Sequence, residues 1–176
     1  MTITADIIKE LREMTSCGVM ECKKALEHVG GDLQKAKEFL RKRGLELAVK
    51  KGSRSTNEGR VEAYIHLGAK IGVMLEANCE TDFVAKNEDF CKFTKDVAMH
   101  IAAMNPTYIR KEDIPEDVLK EQKDPDAFVK ESCLMEQPFV KDPKMTIQDY
   151  LNTLVAKIGE NMLISRFERF KVGEVK

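Results

Sequence analysis

Residues 61–79, VEAYIHLGAKIGVMLEANC, carry a two-residue period that decides the fold. Apolar and polar residues alternate over 61–65 and again over 71–77, on either side of the turn sequence Leu67-Gly68-Ala69-Lys70. Such alternation is typical of strands with one buried face. We therefore expect an antiparallel hairpin whose apolar positions share that face: Val61, Ala63, Ile65, Ile71, Val73, Leu75 and Ala77.

The connection after this hairpin, ETDFVAK (80–86), places a large aromatic and a valine beside two acids. Connections run over the surface of a protein. Phe83 therefore either turns inward to the core of its own domain or stands exposed as a docking anchor for a partner. The residues alone leave both interpretations open.

The remainder of the chain predicts helices packed on one side of an antiparallel sheet. Asn87 is a favourable helix start, and an apolar stripe of helical period continues to Met104. Residues 105–126 read as loop with short helical pieces, 127–135 as a helix and 136–143 as a loop. Thr146 and Asp149 form a capping box for a helix that ends at Gly159. A final strand over 162–170 completes an α+β fold.

The N-terminal fifty residues have the apolar spacing of three short helices. Asp32 is a good N-cap for the third helix, and Gly44 is expected to end it. The predicted domains are a three-helix bundle (1–50), a linker (51–57) and an α+β core and dimerisation domain (58–176). The basic linker region is either a solvated hinge or a nucleic-acid contact.

The composition is that of a globular chain of 176 residues with a net charge of −1. Residues 1–54 carry twelve Lys and Arg against eight Asp and Glu, which gives either a basic docking surface or a solvated helical face. The five cysteines include no CxxC pair, and no apolar run approaches the length of a membrane span. We expect a cytoplasmic location with reduced thiols and no metal site.

Candidates for catalysis are few. The three histidines, His28, His66 and His100, are separated from one another and lack an obvious partner in a catalytic set. Cys79 continues the buried phase of its strand, which indicates an inert core thiol. Because no glycine-rich phosphate loop is present, we expect neither an enzyme nor a nucleotide-binding protein.

Three stretches resemble the bacterial elongation factor Ts family, the guanine-nucleotide exchange factors of elongation factor Tu. They are LREMTSCGVMECKKALEHVGGDLQKAKEFLRKRG (11–44), EANCETDFVAKNEDF (76–90) and the segment from LMEQPFVKDPKMT (134–146) to IGENMLISRFERFKVGE (158–174). The resemblance implies a ubiquitin-associated-like bundle, no cofactor, and GDP-bound elongation factor Tu as partner. It implies neither a membrane nor direct nucleic-acid contact.

The resemblance also implies site residues. The loop formed by Thr81, Asp82, Phe83 and Val84 would enter the partner's nucleotide-binding domain, disturb its magnesium ion and phosphate loop, and release GDP so that GTP can rebind. The bundle would dock on the same domain through a second set: Leu11, Arg12, Val19, Met20 and Lys23.

The chain departs from the family pattern at three places. Ser16-Cys17 stands where Gly-Ala is common, and Val19 where Met is common. Residues 105–133 replace a longer insert of larger members. Some short members pair as homodimers, so we expect a homodimer here.

Three rival functions remain. The bundle could make the chain an adaptor for ubiquitin-like partners or nascent chains. Lys50, Lys51 and Arg54 could bind RNA in a salt-dependent manner. Cys79 could serve a thiol enzyme, although its strand phase argues against that role.

Overall fold

The computed structural model describes residues 3–15 and 17–174. The chain divides into two compact units. The first comprises the described residues of Met1–Arg54 together with Leu151–Asn161, and the second those of Ser55–Tyr150 and Met162–Lys176. The predicted domains at 1–50, 51–57 and 58–176 remain a prediction, because the compact units say nothing of how the segments behave independently.

The first unit contains the three expected helices, α1 (Ala5–Thr15), α2 (Val19–His28) and α3 (Leu33–Lys51). The predicted cap of α3 is confirmed, since the Asp32 side chain accepts a hydrogen bond from the Lys35 N–H at 3.0 Å. The core of this bundle is formed by residues from all three helices: Leu11, Cys22, Ala25, Leu26, Ala36 and Leu40.

The expectation that Gly44 ends the third helix is wrong. Helix α3 continues through Gly44 to Lys51, and Gly44 is buried. A Cβ atom at this position would lie 3.4 Å from the carbonyl oxygen of Asn152. The glycine therefore permits close packing within the first unit rather than ending a helix.

The second unit is built on a three-stranded antiparallel sheet of order β1-β2-β5. Its strands are β1 (Glu58–Ile65), β2 (Ile71–Cys79) and β5 (Met162–Lys171). The predicted hairpin and final strand are confirmed. One face of the sheet is covered by a long helix, α5 (Glu88–Met104), which packs on β1 and β2.

The predicted burial is confirmed for three of the four apolar positions of β2, with Ile71 only half-buried, and it is wrong for β1. Val73, Leu75 and Ala77 are buried as expected. In β1, however, Val61 and Ile65 are 59% and 66% exposed, and Glu62 is buried. The register pairs Glu62 with buried Leu75, so the polar phase of β1 faces α5 and its apolar phase faces outward.

The segment between α5 and β5 corrects two further expectations. The helix expected at 127–135 runs from Pro125 to Ser132, because Asp124 caps it by accepting a hydrogen bond from the Ala127 N–H at 3.0 Å. The loop expected at 136–143 contains β3 and the start of β4. The elements here are α6 (Glu116–Lys120), α7 (Pro125–Ser132), β3 (Pro138–Phe139), β4 (Asp142–Thr146) and α8 (Ile147–Ile158).

The capping box of α8 is confirmed. The Asp149 N–H donates to Thr146 Oγ1 at 3.0 Å, and the Thr146 N–H donates to Asp149 Oδ2 at 3.3 Å. Among the helices of residues 3–15 and 17–174, none is long and apolar enough to cross a membrane.

Candidate functional site

The connection between β2 and α5 forms a short helix, α4 (Asp82–Ala85), that displays an aromatic side chain. Phe83 lies on this helix and is 82% exposed. Of the two interpretations that the residues left open, the inward-turned Phe83 is therefore wrong. We call residues 81–85 the tip.

Local hydrogen bonds explain why the chain makes this turn. The Thr81 side chain caps α4 by accepting from the Val84 N–H at 3.4 Å, and the Ala85 N–H donates to the Thr81 carbonyl at 3.2 Å. Asn87 then begins α5, because its side chain accepts from the Asp89 N–H at 2.9 Å. A one-turn helix between two capped ends gives Phe83 a fixed local backbone.

The tip is also attached to the protein beneath it. Val84 is only 7% exposed, so the residue next to Phe83 points inward. The buried Cys79 thiol donates to the Thr81 carbonyl at 3.1 Å. Cys79 therefore supports the start of the tip, and this contact gives it a structural role.

An ion pair lies across the outer surface of the tip. Lys86 Nζ contacts Asp82 Oδ2 at 2.8 Å with both side chains largely exposed. The hydrogen bond and positive charge of Lys86 lower the pKa of Asp82. Sequence reasoning missed Lys86, although its spacing of four residues from Asp82 on a short helix was the available signal.

The candidate residues of the bundle divide into two groups. Arg12, Val19, Met20 and Lys23 are exposed. Leu11 is completely buried in the bundle core, so the expectation that it contacts a partner directly is corrected. Its side chain holds the helices together instead.

A concavity of about 430 Å³ brings Arg12 and Val19 together near the start of α2. Lys9, Lys157 and Glu13 also line it, so its charged side chains are three cations and one acid, and Lys9 Nζ lies 4.0 Å from Glu13 Oε1. Cys17, a departure from the family pattern, lies in its wall, whereas Ser16 lies outside the described residues. Burial raises the pKa of the Cys17 thiol, so it is neutral in this wall near pH 7.

The histidines lie in different surroundings. His28 packs against Phe39, with ring centroids 4.5 Å apart, and His66 lies beside Tyr64 in the hairpin. His100 is fully buried and hydrogen-bonded to Gln137 at 2.9 Å. Within the described part of the chain, no group of three or more His, Cys, Asp or Glu side chains is placed to hold a metal ion.

Comparison with known proteins adds an independent observation. The chain matches the family model described as Elongation factor TS over residues 4–127 and 124–174. It is 50% identical to elongation factor Ts of Desulfotalea psychrophila, over 98% of this chain and 100% of that protein. It is 48% identical to elongation factor Ts of Thermodesulfovibrio yellowstonii, over 100% of this chain and 99% of that protein.

The alignment with the Desulfotalea psychrophila protein spans 196 positions, more than the 176 residues of this chain. That protein therefore carries residues that this chain lacks. The two segments of the family match meet at 124–127, where α7 begins. This position lies within 105–133, the region that is predicted from the sequence to replace a longer insert of larger members.

Proposed function

The chain belongs to the elongation factor Ts family and is a translation elongation factor; from that premise we propose that it binds GDP-bound elongation factor Tu and accelerates GDP release. GTP then rebinds to the vacated site. In this proposal the chain is an exchange factor that performs no covalent chemistry, and it acts in the cytoplasm. The exposed Phe83 on a capped, anchored tip carries the proposal.

The tip acts by insertion near the partner's magnesium and nucleotide site. Phe83 enters an apolar space in the partner, and Asp82 approaches the polar groups beside it. Thr81 and Val84 shape and anchor the tip, since the first caps α4 and the second is buried beneath it. Asp82 can exchange its ion pair with Lys86 for partner groups because that pair is exposed.

The energy available from one aromatic side chain limits what the tip does alone. Burial of a Phe side chain contributes roughly 1.5–3 kcal/mol. At about 1.4 kcal/mol per factor of ten, this lowers nucleotide affinity by about 10- to 150-fold. A larger decrease in nucleotide affinity requires additional binding energy from the second unit and from the bundle, whose exposed candidate residues are Arg12, Val19, Met20 and Lys23.

The bundle is suited to an acidic partner surface. Its concavity carries the cations Lys9, Arg12 and Lys157, and the exposed Met20 provides apolar area nearby in sequence. Such a surface adds affinity and speeds encounter through electrostatic complementarity. We propose that it docks the chain while the tip displaces the nucleotide.

The test is the release of fluorescently labelled GDP from elongation factor Tu after addition of the chain with excess unlabelled GDP. We expect acceleration that saturates with chain concentration. Because coupling between binding sites is reciprocal, GDP should weaken binding of the chain by the same factor. Absence of acceleration, or a chain affinity independent of GDP, would contradict the proposed function.

We further propose that a second copy of the chain covers the open face of the sheet. This open sheet face carries four exposed apolar residues, Val61, Ile65, Met74 and Phe170. A face of this kind usually marks an interface. Arg166 pairs with Glu76 on the same face, and Glu168 adds a second acid, so a two-fold related copy meets charges of both signs.

Sedimentation at micromolar concentration tests this homodimer. We expect a dimer for the natural chain and a folded monomer for Met74→Lys, which places a charge in the centre of the open sheet face. Val140→Lys introduces the same charge in the turn between β3 and β4 and should leave the dimer intact. A monomeric natural chain would overturn the proposal.

A further inference from the structure

The far end of the tip is held through a thiol. Cys91 Sγ, on α5, donates to the carbonyl oxygen of Ala85 at 3.7 Å. The guanidinium of Arg60, on β1, donates through Nη1 to the same sulfur. The last residue of α4 is thus connected through Cys91 to the edge strand of the sheet.

Arg60 is itself fixed by a covered carboxylate. Its Nη2 contacts Glu62 Oε2 at 2.7 Å, and the side chains of Arg60 and Glu62 are 27% and 10% exposed. The fully buried Thr94 hydroxyl donates to the same carboxylate oxygen at 3.2 Å. We call Arg60, Glu62 and Cys91 the bracket.

The bracket occupies positions where apolar residues would be expected. Arg60 and Glu62 lie on the covered side of β1, while the apolar residues of this strand face outward. An ion pair removed from water is often no more stabilising than a well-packed apolar pair. The Arg60–Glu62 pair instead fixes the orientation of the side chains around it, because a planar guanidinium defines the geometry of the groups it contacts.

We propose that Arg60, held by Glu62, is a positioning residue that orients Phe83 through Cys91 and the Ala85 carbonyl. This inference rests on the proposed function, because its effect is on GDP release. If the far end of the tip is not held, Phe83 samples other directions. The entropic cost of ordering Phe83 then adds to the free-energy barrier of insertion into the partner. We expect loss of the bracket to lower the maximal release rate about three- to tenfold.

The first test replaces both charges with apolar side chains in Arg60→Met/Glu62→Leu. Because no unpaired charge remains, this variant should unfold at or above the natural temperature. The chain concentration for half-maximal GDP release should stay within about twofold, because docking through the bundle is unchanged. A natural maximal rate in this variant would overturn the inference.

Cys91→Ala provides a second test that leaves the ion pair in place. It cuts the connection to the Ala85 carbonyl and should give the same loss of maximal rate. Cys133→Ala is the matched control, because it removes a thiol from the separate cluster that contains Ile114 and Val129. The natural rate for Cys133→Ala with a reduced rate for Cys91→Ala supports the bracket; equal rates for both variants would overturn it.

A cycle with Phe83→Ala separates positioning from general structure. If the bracket acts through Phe83, the bracket substitutions should cause no further loss in a Phe83→Ala background. Additive losses would contradict the inference while leaving the proposed function intact. If the natural chain itself fails to accelerate GDP release, the proposed function fails, which is a distinguishable result.

Discussion

Phe83 and Val84 are adjacent in sequence and opposite in exposure, with 82% of Phe83 and 7% of Val84 accessible to solvent. Both residues lie on the capped helical turn α4, where their side chains point to different sides. Val84 therefore anchors the tip, and Phe83 is presented to a partner. This relationship makes the tip a projecting feature of the folded protein, formed before any partner binds.

Val84→Ala should lower the free energy of unfolding by about 1–3 kcal/mol, because it removes buried methyl groups beneath the tip. Chemical denaturation measures the change. Val140→Ala is the control, because Val140 is an exposed valine in the turn between β3 and β4, and it should cost less than about 0.5 kcal/mol. Equal losses for the two variants would show that Val84 is not an anchor.

Asp96→Asn should destabilise the second unit by about 1–3 kcal/mol. Asp96 is buried and accepts from Lys92 at 2.6 Å, Lys141 at 2.6 Å and the Tyr150 hydroxyl at 3.1 Å. Burial alone would raise the pKa of Asp96, but the hydrogen bonds from Lys141 and Lys92 outweigh it and the pKa is lowered. Denaturation at pH 7 gives the loss.

The pH dependence provides the control for Asp96. A lowered folded-state pKa stabilises the protein above the unfolded pKa of about 3.9, and this contribution is lost as the pH falls through the folded pKa. The difference between the natural chain and Asp96→Asn should therefore shrink in acid. Glu116→Gln, which breaks an exposed pair with Lys120, should cost less than about 1 kcal/mol. A stability difference between the natural chain and Asp96→Asn that grows in acid would contradict the stabilising role of Asp96.

His100 should make stability fall as the pH drops below neutrality. Gln137 Nε2 donates to the Glu131 carbonyl at 2.5 Å, so its Oε1 accepts from His100 Nε2 at 2.9 Å. The Val140 N–H donates to His100 Nδ1 at 3.2 Å, which leaves a neutral imidazole. Burial lowers the pKa of His100 despite the opposing hydrogen bond to Gln137.

The sign follows from linkage. Stability from neutral His100 is present above its unfolded pKa of about 6.5 and is lost as the pH falls through the folded pKa, with a slope of at most about 1.4 kcal/mol per pH unit. Denaturation at several pH values from 7 to 5 should give a flatter profile for His100→Asn than for the natural chain. Gln34→Asn, at an exposed site and without a titratable group, should keep the natural slope. An unchanged slope for His100→Asn would refute the assignment.

Gly59→Ala should cost more than about 1 kcal/mol of stability, since alanine cannot adopt the native backbone without strain. Gly59 has φ of +153°, and a Cβ atom there would lie 2.3 Å from the Ala77 carbonyl oxygen on β2. Gly68→Ala isolates the cost of positive φ, because a Cβ atom at Gly68 meets no atom within 4 Å. Thermal unfolding should show the larger loss of stability for Gly59→Ala. Equal losses would show that the close approach of β1 to β2 at Gly59 does not add to the cost of positive φ.

Much of the fold follows from local rules in the sequence. The caps at Asp32, Asn87 and Thr146 were predictable because a side-chain acceptor at a helix start bonds a backbone N–H two or three residues further on. The strand over 71–79 was predictable because its buried phase is apolar. Gly44 and β1 were misread because tertiary packing determines them: close approach within the first unit requires the glycine, and α5 covers the polar phase of β1.

The candidate site was only partly predictable. The resemblance located the tip, but the residues alone could not decide whether Phe83 is buried, because a four-residue helix is too short to show a period. Arg60 and Cys91 are 31 positions apart, and no local pattern joins them. Their contact depends on the arrangement of β1 and α5, which sequence spacing does not specify.

The most direct test of the central claim compares the natural chain with Phe83→Ala in the release of labelled GDP from elongation factor Tu at saturating chain concentration. Leu67→Ala is the control, because Leu67 is a 92% exposed apolar residue in the β1–β2 turn. We predict rapid release with the natural chain and with Leu67→Ala, and release about 10- to 150-fold slower with Phe83→Ala. Equal acceleration by all three proteins would contradict the role of Phe83, and acceleration by none would contradict the exchange function itself.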